Sequence, residues 1–209
     1  MTRISSRHLL LALCLALPAG CGTSPPPRYH ALSRPDDALP ASGQARMLVE
    51  ILPVAVPEAL TRSNLVLTDE TGQVTVMEAE RWLSPIGDEL RQILADGLWR
   101  TARASDTYQA PVSGSAVTLP LFRLAVRLDR FEAVPGRAAM IDASWTLRRL
   151  PDGPVQGCRW AGRQPVDGRD AAAAAAALSA VSRRLADRIG DSLRHVAAGQ
   201  GLPCPDESR

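Results

Sequence analysis

The thiol of Cys21 is the side chain best placed to do chemistry in this chain. It follows Leu17-Pro18-Ala19-Gly20, which closes an apolar run from Leu9 to Leu17 preceded by a short basic start at Arg3 and Arg7. This is the order of a secretory signal peptide, and about nine apolar residues are too few to span a bilayer. A cysteine directly after the cleavage site has the form of a bacterial lipobox, in which the thiol is acylated and the cysteine becomes the mature N-terminus. Pro18 stands where such boxes usually carry Leu, with Leu17 one step further back. Cys14 is preceded by Leu13, which is too large for a cleavage site. The plain alternative is a secreted chain in which Cys21 has no role.

Once Cys14 leaves with the signal peptide and Cys21 takes lipid, Cys158 and Cys204 remain. Two thiols in an oxidising compartment are expected to pair. Closing a loop of about 46 residues would add roughly 4 kcal/mol on chain-entropy reasoning. The alternative leaves both free, with Cys204 in a frayed tail.

The rest of the catalytic inventory is poor. His30 and His195 lie at opposite ends of the mature sequence and in no ligand spacing; His195 fits a solvated position near a helix C-terminus. No G-x-S-x-G, H-E-x-x-H or C-x-x-C occurs. Ser113-Gly114-Ser115 reads as a loop. Asp88-Glu89 and Asp69-Glu70 are neighbours in sequence only, since adjacent helical residues point about 100° apart. The chain has no lysine, which excludes a P-loop lysine and Schiff-base chemistry. These residues describe a protein that is not an enzyme and that calls for no cofactor and no metal.

Composition narrows the class further. Lys and Arg total 24 against 22 Asp and Glu, and two of the basic residues, Arg3 and Arg7, belong to the signal peptide. The mature chain is therefore balanced and has no electrostatic reason to bind nucleic acid. Residues 21–28 form a short Pro-rich tether, 29–198 one domain, and 199–209 an irregular tail. The seven tether residues from Gly22 to Arg28 would reach only about 20 Å, so the domain must sit near the membrane surface. No apolar stretch after Cys21 approaches the roughly 20 residues of a transmembrane helix.

The elements follow from periodicity. Tyr29–Leu32 and Met47–Val56 read as strands, the second ending at Pro57, and Leu65–Thr68 and Val74–Glu78 as a hairpin across Asp69–Gly72. Ser84-Pro85 opens a helix whose face is Ile86, Leu90, Ile93, Leu94, Gly97 and Leu98, ending near Thr101. Phe122, Leu124, Val126 and Leu128 alternate with polar residues, and the slip before Phe131 predicts a bulge or twist. Ile141, Ala143, Trp145 and Leu147 repeat the alternation beyond the turn at Pro135-Gly136-Arg137, and Val155–Ala161 adds a third strand. A final helix runs from Asp170 to Ala198, opened by seven alanines and continued by Leu178, Val181, Leu185, Ile189, Leu193 and Val196. The alanines serve either cheap helix formation or close approach of a neighbour. Together these predict a single two-layer α/β domain of the α+β type. It has a mostly antiparallel sheet of about six or seven strands with two long amphipathic helices on one face. Trp145 belongs to the core and Trp82 would cap it. Trp160 shares a face with Cys158 and would be a partner contact if exposed.

Several stretches taken in order resemble the PqiC-like family, the ABC-type transport auxiliary lipoproteins of Gram-negative bacteria. They are the Tyr-containing strand Arg28–Leu32 soon after the lipid cysteine, the Val-Pro segment from Val54 through Arg62 to Val66, and Glu80-Arg81-Trp82-Leu83-Ser84-Pro85 before the first long helix. The Leu128–Leu147 hairpin and the last helix follow in the family's order. Ser63 departs from the Pro or Gln often found there. The resemblance implies a non-catalytic docking subunit of an MCE/ABC-type lipid transport system, held in the outer membrane by its acyl chains on the periplasmic face. It further implies an MCE-domain, periplasm-spanning partner, assembly as a homo-oligomer, and Arg62 as a partner contact. Gly22 fits an outer-membrane destination, because Asp at that position usually retains such lipoproteins in the inner membrane. A regulator that activates a cell-wall synthase is the competing reading, for which the tether is short. A periplasmic hydrolase would need a nucleophile–base pair that the sequence does not display.

Overall fold

The computed structural model describes residues 25–32, 42–110, 118–202 and 204. The signal peptide, Cys21, Gly22 and Ser113-Gly114-Ser115 lie outside these residues. In chain order the elements are β1 (Arg28–His30), β2 (Met47–Ile51), a 3₁₀ turn at Glu58–Leu60, β3 (Asn64–Thr68), β4 (Val74–Trp82), α1 (Ile86–Ala102), β5 (Ala104–Asp106), β6 (Leu121–Val134), β7 (Ala138–Arg149), β8 (Val155–Pro165) and α2 (Ala171–Ala197).

The expected α/β architecture is present, with two sheets in place of one. Five strands form the larger sheet in the order β5-β2-β6-β7-β8, and three form the smaller in the order β1-β4-β3. The β6–β7–β8 meander is antiparallel, with Val126 opposite Trp145 and Trp145 opposite Cys158. β2 lies between β5 and β6 and runs parallel to both. Alternation builds the meander as its sequence predicts: Phe122, Leu124, Val126 and Leu128 face inward, as do Ile141, Ala143, Trp145 and Leu147. The slip before Phe131 is a register shift between Leu128 and Arg130. It returns Phe131 and Ala133 to the buried face.

The helices pack together and on the larger sheet, α1 against β2 and β5 and α2 against β6, β7 and β8. The apolar stripes predicted for both are buried. Their contact is close because two glycines make it so. A Cβ on Gly97 would lie 2.6 Å from the Ala186 Cβ, and one on Gly190 would lie 1.9 Å from the Thr101 Oγ1. The Asp170 carboxylate caps α2 by accepting from the Ala173 N–H at 2.7 Å, satisfying one of the N-terminal donors that a helix leaves unpaired.

Several elements differ from expectation, and β8 runs on to Pro165. The strand predicted over Met47–Val56 ends at Ile51, because Pro53 has no N–H to donate. Pairing resumes at Ala55, whose N–H donates to Val126 O at 3.0 Å. β4 continues through Trp82, so Glu80-Arg81-Trp82 are strand residues and the helix begins at Ile86. β5 has no signature in the sequence. It forms because Arg103 ends α1 in the left-handed conformation, at φ 53°, and turns Ala104 into register beside Met47.

Candidate functional site

The residues with unusual chemistry gather where β1 joins β4. Parallel pairing sets Arg28 opposite Glu80 and His30 opposite Trp82; His30, Glu80 and Trp82 turn inward, while the Arg28 side chain stays open to solvent at the strand's start. Glu80 is 2% exposed, an ionisable group in a place where it needs partners. It has two. His30 Nε2 donates to Glu80 Oε2 at 2.6 Å, and the Arg28 guanidinium pairs with the other carboxylate oxygen. The His30 hydrogen bond, and then that of Arg28, hold the Glu80 carboxyl below its usual range against burial, which works the other way. Edge-on packing of Trp82 against His30, with ring centroids 6.4 Å apart, and tilted packing of Trp82 against Phe131 at 6.0 Å join this cluster to the core. One further carboxylate reaches β1: Glu89, from the first turn of α1, accepts from the Leu32 N–H at 3.0 Å.

An imidazole on a buried carboxylate is half of a hydrolytic relay. Among the described residues, His30 contacts Glu80 and Trp82, and Glu80 is shared with Arg28. The arrangement fastens a short edge strand to the body. Sequence reading missed it. The signal was Glu80 two residues before the apolar Trp82, hence on the same strand face.

The sequence-derived site residues are dispersed. Arg62 is exposed just after the 3₁₀ turn and borders a crevice of about 10 Å³ with Leu60, Asn64, Trp82, Ile86 and Phe131, room for about one water. Trp160 corrects an expectation. It is 4% exposed and presents no surface to a partner. Its register opposite Ala143 puts it on the buried face, with its ring over Gly162, where a Cβ would lie 2.1 Å from the Trp160 Cη2. Cys158 and Cys204 form a disulfide with Cα atoms 5.3 Å apart. It holds the C-terminal segment against β8, helped by the Leu202 N–H donating to Gln156 Oε1 at 2.8 Å. His195 is satisfied within its own helix, Nδ1 lying 2.8 Å from Asp191 O. Asp69 accepts from the Thr71 hydroxyl at 2.7 Å and from the backbone N–H groups of Thr71 and Gln73, so it organises the hairpin turn. Those bonds, the Thr71 hydroxyl first, lower its carboxyl below the usual value.

An open groove of about 410 Å³ lies between the tips of the β3–β4 and β6–β7 hairpins. Arg130 pairs with Glu132, and Arg137 lies 3.6 Å from Glu70, so its charges largely neutralise each other. Among the described residues, no group of three or more His, Cys, Asp or Glu is placed to hold a metal ion. No helix among them is long and apolar enough to cross a membrane.

The chain is a mixed α/β domain in which a polar cluster ties the N-terminal strand β1 to β4. The family model described as the ABC-type transport auxiliary lipoprotein component matches residues 30–190, and the chain belongs to that family. It is thus a membrane-anchored component of the cell envelope. The fold is shared with a crystal structure of an uncharacterized protein at 17% identity and a TM-score of 0.63, covering 80% of this chain and 99% of that one. Protein XCC0632 from Xanthomonas campestris, of the DUF330 family, is similar at 18% identity and a TM-score of 0.61, covering 82% and 97%. At such identities the likeness concerns the fold alone. No curated protein matches the sequence.

Proposed function

We propose that this chain is a non-catalytic docking subunit of an MCE/ABC-type intermembrane lipid transport system, anchored in the outer membrane through acylated Cys21 and contributing to membrane integrity. The observation that carries the proposal is the family match over residues 30–190. Three features support it. The small residues before Cys21 suit cleavage and acylation, Gly22 suits outer-membrane sorting, and the cluster at Glu80 fastens the strand through which an anchor would act. The partner is an MCE-domain protein that spans the periplasm, and the subunits assemble as a homo-oligomer, with Arg62 at the edge of a contact.

The test is a mild-detergent pull-down of the tagged, lipidated protein, with partners identified by mass spectrometry and the complex sized in solution. Recovery of an MCE-domain protein together with a multimeric species is the expected result. A monomer that brings down a cell-wall synthase would overturn the proposal in favour of the regulator.

A further inference from the structure

The tether that follows Cys21 enters the fold at an apolar surface. β1 and β4 run parallel with Tyr29 opposite Arg81, and the Leu83 N–H continues the pairing by donating to His30 O at 2.7 Å. Alternation therefore sends His30, Glu80 and Trp82 inward and leaves Tyr29, Ala31, Arg81 and Leu83 on the outer face. Tyr29 is 59% and Leu83 65% exposed. They occupy neighbouring positions on that face, and Tyr29 is one of two tyrosines in the whole sequence. Large apolar side chains left this open next to one another mark a surface that something covers.

The tether decides what covers it. Tyr29 lies eight residue steps from Cys21, and fully extended these span at most about 28 Å. An acyl group on Cys21 thus keeps this face within reach of the bilayer that holds it. The chemistry of the face suits that neighbour. A tyrosine ring with an apolar body and a polar tip sits favourably at headgroup depth.

We infer that the outer face of β1 and β4 rests on the phospholipid bilayer that carries the anchor, with Tyr29 and Leu83 at headgroup depth. This rests on the acylation of Cys21 proposed above, and it adds a second, protein-borne contact that sets the orientation of the domain on the membrane.

The experiment uses the full lipoprotein carrying Leu83→Cys, reconstituted into vesicles of phosphatidylethanolamine and phosphatidylglycerol. With Cys21 acylated and Cys158 bonded to Cys204, the introduced thiol is the free one and takes an environment-sensitive dye. Val155→Cys, equally open at 64% exposure but on β8 of the other sheet, is the control. Lipids spin-labelled on the headgroup should quench the dye at position 83 at least fivefold more than at 155, and Tyr29→Ser should halve that difference. Equal quenching at both positions, in vesicles that still carry the protein on flotation, overturns the inference and leaves the anchor intact. Protection of position 83 that grows with protein concentration in detergent, without lipid quenching, assigns the face to a second copy and overturns it too. Failure of the protein to float with the vesicles removes the anchoring reading, and this inference with it.

Discussion

Glu80 shows how one buried charge can organise a terminus. Replacing it by Gln leaves the hydrogen-bonding shape and removes the ion, so Glu80→Gln should lower unfolding free energy at pH 6 by about 2 kcal/mol. Because His30 and Arg28 lower its pKa below the ordinary 4.5, the ionic contribution is complete above that value and is lost as pH falls through the folded-state pKa. Urea denaturation of both proteins from pH 6 to pH 3 should therefore show the gap closing at the acid end. A gap constant across that range would mean that Glu80 acts by packing alone. This residue was hard to read in the sequence because a lone carboxylate gives no sign of burial until its strand partner is known. Trp160 failed for a related reason. Val155–Ala161 mixes Gln156, Gly157 and Arg159 with its apolar residues, and the register with β7 decides which face is inside.

At the scale of elements, periodicity was a reliable guide wherever a segment was long and buried on one side. Both helix stripes and the inward residues of β6 and β7 follow it. β5 and the division into two sheets were illegible, because three-residue strands carry no alternation and their pairing depends on chain far away in sequence. The helix pair offers a sharp test of packing. Gly190→Ala puts a methyl group against the Thr101 Oγ1, which is itself held by a 2.8 Å bond to Gly97 O. It should cost about 1–3 kcal/mol, and Thr101→Ala in the same chain should recover part of that loss. Chemical denaturation of the two variants reads this directly; an unchanged midpoint in Gly190→Ala would show that the helices can part without cost. The link between β8 and the C-terminal segment is tested by Cys158→Ser with Cys204→Ser. Opening a loop of 46 residues should lower stability by roughly 3–4 kcal/mol, and the wild type under reducing conditions should match the double variant.

The whole molecule was legible in class before it was legible in detail. The family was visible as an ordered set of segments in place of any single motif, and the family model matches over residues 30–190. The consequence for the anchored protein is simple to measure. Cys21→Ala should abolish membrane retention after extraction at high salt, since each buried acyl CH₂ contributes about 0.8 kcal/mol. Gly22→Asp should move the protein toward the inner-membrane fraction on a density gradient. A Cys21→Ala protein that stays in the pellet would argue for a second anchor elsewhere in the chain.

The fastening of β1 also has a mechanical side. Any tension between an acyl chain in the membrane and a partner gripping the domain must enter at Arg28 and cross three residues of edge strand before reaching the core. That strand is the first element on the line of force. Its release would free the 16 residues from Ala31 to Arg46 that separate it from β2, a contour of about 55 Å at 3.4 Å per residue. Pulling on single molecules from Cys21 should show a first extension step of at most that size while the larger sheet and the β3–β4 pair survive. A domain mounted this way could follow a moving partner without tearing its own fold or its lipid.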